Sequence, residues 1–394
     1  MRLLLVSQEY PPETAHGGIG TQTHLKAQGL VSRGHEVTVL SHSIDGRYQD
    51  LRDGRVRVVR VPGFDDRLSL HTEIARWVTY SAVAAGAIAQ LNHERPFDLI
   101  EFPEWGSEGY VHLLNRSPWD RVPVVIQLHG PLVMFAHALG WPERDSEFYR
   151  VGSHMEGTCL RLADSVYSSS RCSIEWCQRH HGLDPDRIPV LHTGVDTRHF
   201  RPRDADRDRP TIVFVGKIAR NKGVDLLLVA ASRLAAEFPK LRLRLLGGGE
   251  ATLLDELRRR AADSPGLLEL PGFIDHRDLP AELSAAHLFA APSAYEGGPG
   301  FVYLEAMACG LPVIACGGSG ATEVVQHEVN GLLVPPGDVD ALTAALRCLL
   351  ADPEKRVAMG RRARRFVEQE ADSQVQLSRL ESYYLGVVDR HPSP

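Results

Sequence analysis

Short runs of Val, Ile and Leu recur along the chain, each ending in Gly, Pro or a polar residue, with helix-period stretches between several of them. In the first half, 3–7, 36–41, 56–61, 99–102, 124–128 and 165–168 read as strands, and 24–33, 72–91 and about 147–162 as helices. The pattern begins again at 211–216 and continues through 241–246, 268–270, 288–291, 313–315 and 331–334, with helices over 224–238, 252–262, 301–308 and 341–351. Strands this apolar, alternating with helices, predict parallel sheets covered on both faces. Two such series predict an α/β chain of two doubly wound, Rossmann-like domains. Ligands bind beyond the carboxyl ends of such strands, so two facing sheets are expected to enclose a ligand cleft.

Residues 193–209 have no apolar periodicity and are rich in Asp, Arg and Pro, so they predict an exposed linker. The expected division is 1–195, a linker over 196–209, a second domain over 210–370, and a terminal helix over 371–394 that packs back on the first domain.

A length of 394 residues fits two domains, and the composition (43% hydrophobic, 24% charged) is that of a soluble globular chain. The net charge of -6 argues against a nucleic-acid partner, for which a basic stripe is expected. Lysine is scarce: Lys26, Lys217, Lys222, Lys240 and Lys355 are the full set, so a lysine among glycines stands out. Cys159, Cys172, Cys177, Cys309, Cys316 and Cys348 form no CxxC pair and read as reduced thiols of a cytoplasmic protein. The apolar run at the N-terminus is short for a signal peptide and reads as a first buried strand. The longest uncharged stretch, 77–91, falls below the roughly 18 residues a membrane span needs. No integral membrane segment is expected. Arg361-Arg-Ala-Arg-Arg365 is followed by Glu368 and Glu370, which favours a solvated helix face over contact with anionic lipid.

The densest chemistry lies in Glu296-Gly-Gly-Pro-Gly-Phe-Val-Tyr-Leu-Glu305-Ala-Met-Ala-Cys-Gly310. Two carboxylates bracket a glycine-rich turn that opens a helix. Unpaired N–H groups at a helix start attract phosphate, and Gly298 and Gly300 let backbone approach a ligand. Glu305 falls about one turn into the helix, placed to accept two hydrogen bonds from a ribose diol. Glu296, on the loop, can reach a second polyhydroxylated group. Phosphate, ribose and a sugar together suggest a nucleotide-sugar.

Three further loops follow strands. Gly17-Gly18-Ile-Gly20 leads into a helix, and its N–H groups could meet a diphosphate, although a plain strand–helix turn has the same pattern. No acid ends the second strand, which weakens a dinucleotide reading. In Gly216-Lys217-Ile-Ala-Arg-Asn-Lys222-Gly223, a turn with two cations opens a helix, another place for pyrophosphate. His129 ends the strand Val-Val-Ile-Gln-Leu-His and is a candidate ligand contact.

Together these motifs resemble family 4 glycosyltransferases of the GT-B fold, over nearly the whole chain. Arg33-Gly-His-Glu-Val-Thr-Val, Gly194-Val-Asp196 with Phe200-Arg-Pro, Gly317-Gly-Ser-Gly with Glu323, and Asn330-Gly-Leu-Leu-Val-Pro-Pro-Gly337 complete the series. The resemblance implies retaining transfer from a nucleoside-diphosphate-sugar, UDP- or GDP-linked, to a small-molecule or glycan acceptor, with no other cofactor and no metal held by a DxD motif. Asp204-Ala-Asp206 has DxD spacing but lies in the arginine-rich linker, where it reads as solvated loop. By the resemblance, Glu296 binds donor-sugar hydroxyls and Glu305 the ribose. Gly300, Phe301, Val302, Lys217 and Lys222 hold the diphosphate, joined from the first domain by Gly17 and Gly18, and His129 touches the donor sugar. His129, Lys222 and Glu296 are the candidate catalytic set. This chain has one residue more than the family between Glu296 and Glu305, lysine for arginine at Lys217, and Thr193 for asparagine.

The acceptor is expected on the first domain, along the irregular stretch 131–147. Glu143, Asp145 and Glu147 make part of it acidic, with Phe135 and Trp141 nearby, which suits a cationic or amphipathic natural product as well as it suits a plain solvated loop. Other classes sharing this architecture are a nucleotide-sugar 2-epimerase, a pseudo-glycosyltransferase joining a nucleotide-cyclitol to an amine, and an inactive nucleotide-sugar-binding regulator.

Overall fold

A computed structural model describes residues 1–14, 18–63, 69–117, 122–192 and 194–391. The chain divides into two compact units, Met1–His192 with Gln376–Pro394, and Thr193–Val375.

The first unit holds strands β1 (Arg2–Val6), β2 (Glu36–Ser43), β3 (Gln49–Asp53), β4 (Val56–Pro62), β5 (Leu99–Pro103), β6 (Val124–Leu128) and β7 (Ser165–Ser168), in the sheet order β3-β4-β2-β1-β5-β6-β7. Successive side chains point to opposite faces. Leu4 and Val6 therefore join one core layer, and Leu3 and Leu5 the other. The second layer is completed by Leu380, Tyr384 and Val387 on the terminal helix Ser373–Arg390.

The sheet departs from the all-parallel expectation at β3, which pairs antiparallel with β4. Its sequence, Gln-Asp-Leu-Arg-Asp, is largely exposed. An edge strand has one neighbour and need not be apolar, so hydrophobic runs miss it. The helix predicted at 24–33 spans Gly18–Ser32. Helix Arg171–His181 was not foreseen, although Ser170 caps it and Gly182, at φ 67°, ends it.

The second unit is parallel throughout: β8 (Thr211–Val215), β9 (Arg242–Leu246), β10 (Leu268–Gly272), β11 (Leu288–Ala291), β12 (Val313–Cys316) and β13 (Gly331–Val334), ordered β10-β9-β8-β11-β12-β13. Residues 201–208 are exposed, as a linker should be, and Asp204 and Asp206 with them. Val195 and Phe200 are not: both are buried in the core of this unit. One arginine of 361–365 is also no solvated surface residue. Arg364 donates to the carbonyls of Phe200 (2.6 Å), Ala308 (2.7 Å) and Thr197 (3.0 Å). It satisfies carbonyls left open by a helix end and by irregular backbone.

Candidate active site

In the second unit, the loop after β11 leads into helix Phe301–Ala308 through Gly300, at φ 70°. A Cβ at Gly300 would stand 2.8 Å from the Tyr303 ring, so glycine is required there. The helix begins with Phe301 and Val302 half-buried, and its interior turns into the core. Glu305 is buried one turn in, and its Oε1 accepts from Nε2 of His276 at 2.8 Å. That carboxylate holds the His276 imidazole above its usual pKa.

Glu296 lies earlier on the same loop. Lys222 Nζ donates to its Oε1 at 2.7 Å, with the side chains 30% and 16% exposed. Backbone contacts keep the two segments together: Ala294 N donates to Asn221 O at 3.0 Å. Lys222 ends the turn Arg220–Lys222, and Gly223 carries the chain on at φ 70° into helix Val224–Leu234. Lys217 is exposed. It lines a concavity of about 390 Å³ with Arg220, Glu250 and Glu256. Arg220 is paired with Glu256. The structure thus joins Lys222 to Glu296 and places Lys217 at the same strand end without a pairing to Glu296.

The loop with the additional residue is supported from another segment. Gly320 N donates to Glu296 O at 2.8 Å, and a Cβ on Gly320 would fall 2.4 Å from Gly298 O. Gly320→Ala should therefore displace the Glu296 loop. We expect donor KM to rise at least about fivefold, with circular dichroism confirming a folded variant; unchanged donor kinetics would remove this support role.

The first unit carries the remaining candidates. Gly18 is exposed at the start of helix Gly18–Ser32, and Gly20 N donates to Glu9 Oε2 at 3.3 Å. Gly17 and Thr193 lie outside the described residues. His129 follows β6. Its N–H and that of Gly130 both donate to Glu104 Oε1, the first at 2.7 Å. Its Nδ1 is buried and has no hydrogen-bond partner among the described residues. Burial first, and Lys26 second, push the imidazole down to about 3. His129 is therefore neutral near neutral pH and can act there as a hydrogen-bonding group, not as a cation. Burial pushes Glu104 the other way, up to about 8.

The stretch 131–147 is less irregular than expected. Leu132–Ala138 is a helix, with Leu132, Val133, Met134 and Ala136 buried. Exposure concentrates in 140–147, where Trp141 is 54% exposed and stacks on Trp105 (centroids 6.2 Å, 27°).

His276 and the triple glycine 247–249 escaped the sequence reading. A Cβ on Gly247, at φ 149°, would lie 1.9 Å from Gly216 O, and Ile218 N donates to Gly248 O at 2.8 Å. Three glycines after a strand could have flagged this turn; nothing local could have flagged His276. Among the described residues, no group of three or more His, Cys, Asp or Glu is placed to hold a metal ion, and no helix is long and apolar enough to cross a membrane.

Comparison with known proteins matches both units. Residues 17–194 match the family described as "Glycosyl transferase 4-like domain", and 195–366 the family "Glycosyl transferases group 1". The chain is 31% identical over 384 residues to a GDP-mannose-dependent alpha-(1-6)-phosphatidylinositol monomannoside mannosyltransferase of Mycolicibacterium smegmatis, covering 91% of each. It is 27% identical over 416 residues to a glycogen synthase of Mycobacterium tuberculosis, covering 100% of this chain and 97% of that one. In fold it is similar to a sucrose-phosphate synthase from Thermosynechococcus elongatus, with TM-score 0.82, 24% identity and 99% of each chain covered. With both units matched and a curated relative this similar over nearly its full length, the chain belongs to the family 4 glycosyltransferases of the GT-B fold, which move a sugar from a nucleotide-sugar to an acceptor.

Proposed function

We propose that this enzyme is a retaining hexosyltransferase that uses a nucleoside-diphosphate-sugar and needs no metal ion. The observation that carries the reading is the Lys222–Glu296 pair beside a helix whose second turn presents the buried Glu305. Lys222 and Lys217 neutralise the diphosphate, helped by N–H groups at Phe301 and Val302. Glu296 receives donor-sugar hydroxyls and Glu305 the ribose. As the bond from sugar to diphosphate breaks, positive charge grows on the ring and negative charge on the departing phosphate; fixed cations and N–H groups stabilise the latter. The acceptor oxygen attacks from the face the diphosphate leaves, and that phosphate takes the acceptor's proton. No side chain is assigned as the base.

A small-molecule or glycan acceptor is favoured. The exposed 140–147 loop offers it Trp141 with Glu143, Asp145 and Glu147. GDP-mannose heads the list of donors to test, because a relative at 31% identity is named for it.

A thermal-shift panel of GDP-, UDP- and ADP-sugars tests the reading. One nucleotide class should raise the melting temperature by several degrees. With that donor, nucleoside diphosphate should be released only when acceptor is present, at a rate unchanged by EDTA. Release or isomerisation without acceptor would indicate an epimerase instead. Binding without turnover, across a broad acceptor set, would indicate a regulator.

A further inference from the structure

We infer that His276 is the positioning residue of the ribose subsite, holding the Glu305 carboxylate in the orientation that receives the nucleotide's ribose diol. The inference rests on the assignment of Glu305 to the ribose made above. A vicinal diol donates two nearly parallel O–H bonds, and a carboxylate can accept both only if its plane is set correctly. Glutamate has three rotatable bonds and does not set that plane unaided. Here the side chain is 8% exposed, and His276 Nε2 stands 2.8 Å from Oε1. Each carboxylate oxygen accepts two hydrogen bonds. His276 therefore occupies one site on Oε1 and leaves a second there, and Oε2, which has no hydrogen-bond partner among the described residues, can receive the other ribose hydroxyl. It orients the group without consuming its capacity.

The histidine is itself held in place. It sits on the loop between β10 and helix Leu279–Ser284. Its ring packs on Phe200 at 4.9 Å between centroids and lies nearly parallel to His199 at 6.2 Å. His199 Nε2 lies 3.3 Å from the His276 carbonyl oxygen. Asp275 stiffens the loop, its carboxylate accepting from the Arg277 backbone and guanidinium at 2.9 Å. Phe200, buried in this unit's core, anchors one side of the arrangement. Half of the His276 side chain nevertheless remains exposed, so a ligand can approach the pair.

The test uses the full-length protein and its His276→Ala, His276→Gln and Glu305→Gln variants. Binding of GDP, UDP and ADP, each beside its 2′-deoxy analogue, is measured by calorimetry, with kcat and donor KM from steady-state rates. His276→Ala should weaken the preferred ribonucleotide about tenfold, the effect of losing one ribose hydroxyl's hydrogen bond to the charged carboxylate. It should leave the 2′-deoxy analogue within about twofold of wild type, and raise KM with kcat preserved. His276→Gln, which keeps an N–H donor, should recover most of the affinity. Equal weakening of both nucleotides, or no weakening of the ribonucleotide, would overturn the inference. Should Glu305→Gln abolish the preference for ribose while His276→Ala preserves it, only the role of His276 fails. Should Glu305→Gln keep the preference, the assignment of Glu305 fails and takes the inference with it.

Discussion

Lys222→Ala should lower turnover at least about tenfold, and as much as 10²–10³-fold, the range seen when one fixed donor to a developing negative charge is removed. Lys222 sits at the end of a surface turn, outside the core, so the fold should survive. Two losses combine. In the mechanism proposed above the leaving diphosphate would lose a cation where its charge grows, and Glu296 loses its partner at 2.7 Å. Lys222→Arg keeps the charge but replaces a compact ammonium by a planar fork, so its rate should fall in between. The check is nucleoside diphosphate release at saturating donor, with melting temperature and circular dichroism confirming a folded variant. A folded Lys222→Ala protein working near the wild-type rate would remove the lysine from the mechanism.

Lys26→Met should destabilise the first unit by about 3–5 kcal/mol, the cost of leaving a buried charge without its partner. Lys26 and Glu101 form an ion pair with side chains 9% and 6% exposed. Lys26 Nζ also donates to Gln127 Oε1, and it lies 3.0 Å from Tyr167 Oη. Tyr167 and Tyr384 donate to Glu101 Oε2, the first at 3.0 Å. Removing the lysine leaves that carboxylate ionised in an apolar surround, or forces it to take up a proton. The first unit's melting transition should fall by roughly 10 °C. Lys26→Met combined with Glu101→Leu should recover much of the loss, because an apolar pair of similar volume carries no unpaired charge. A loss below about 1 kcal/mol in the single variant would show that the buried network contributes little.

Lys26 also marks where sequence reading stops. The strands of both sheets were legible because a strand buried on two faces is an unbroken apolar run, and Leu3, Val213 and Ile314 announce themselves that way. Glu305 was legible because glycines and a helix start precede it at fixed offsets. In the sequence Lys26 stands out only as one of five lysines; what makes it interior is Glu101, Gln127 and Tyr167, brought from three strands. His276 is hidden for the same reason, since its partner lies 29 residues away. Strand β3 failed differently, lacking the apolar signal because an edge needs none. Residues 132–138 failed through overestimating irregularity, because a seven-residue helix shows less than two full periods of pattern.

Tyr384 has a bearing on how the protein is made. Its partner Glu101 lies 283 residues earlier in the chain. At roughly 5–20 residues per second, the ribosome delivers the tyrosine about fifteen seconds to a minute after the glutamate. Through that interval the layer formed by Leu3, Leu5 and Val39 lacks Leu380, Tyr384 and Val387, while all of Thr193–Val375 emerges and can fold. The unit synthesised first is thus the one finished last. A nascent chain halted before residue 376 would expose an open apolar face, a binding site for chaperones during synthesis and a liability for any attempt to express 1–192 alone.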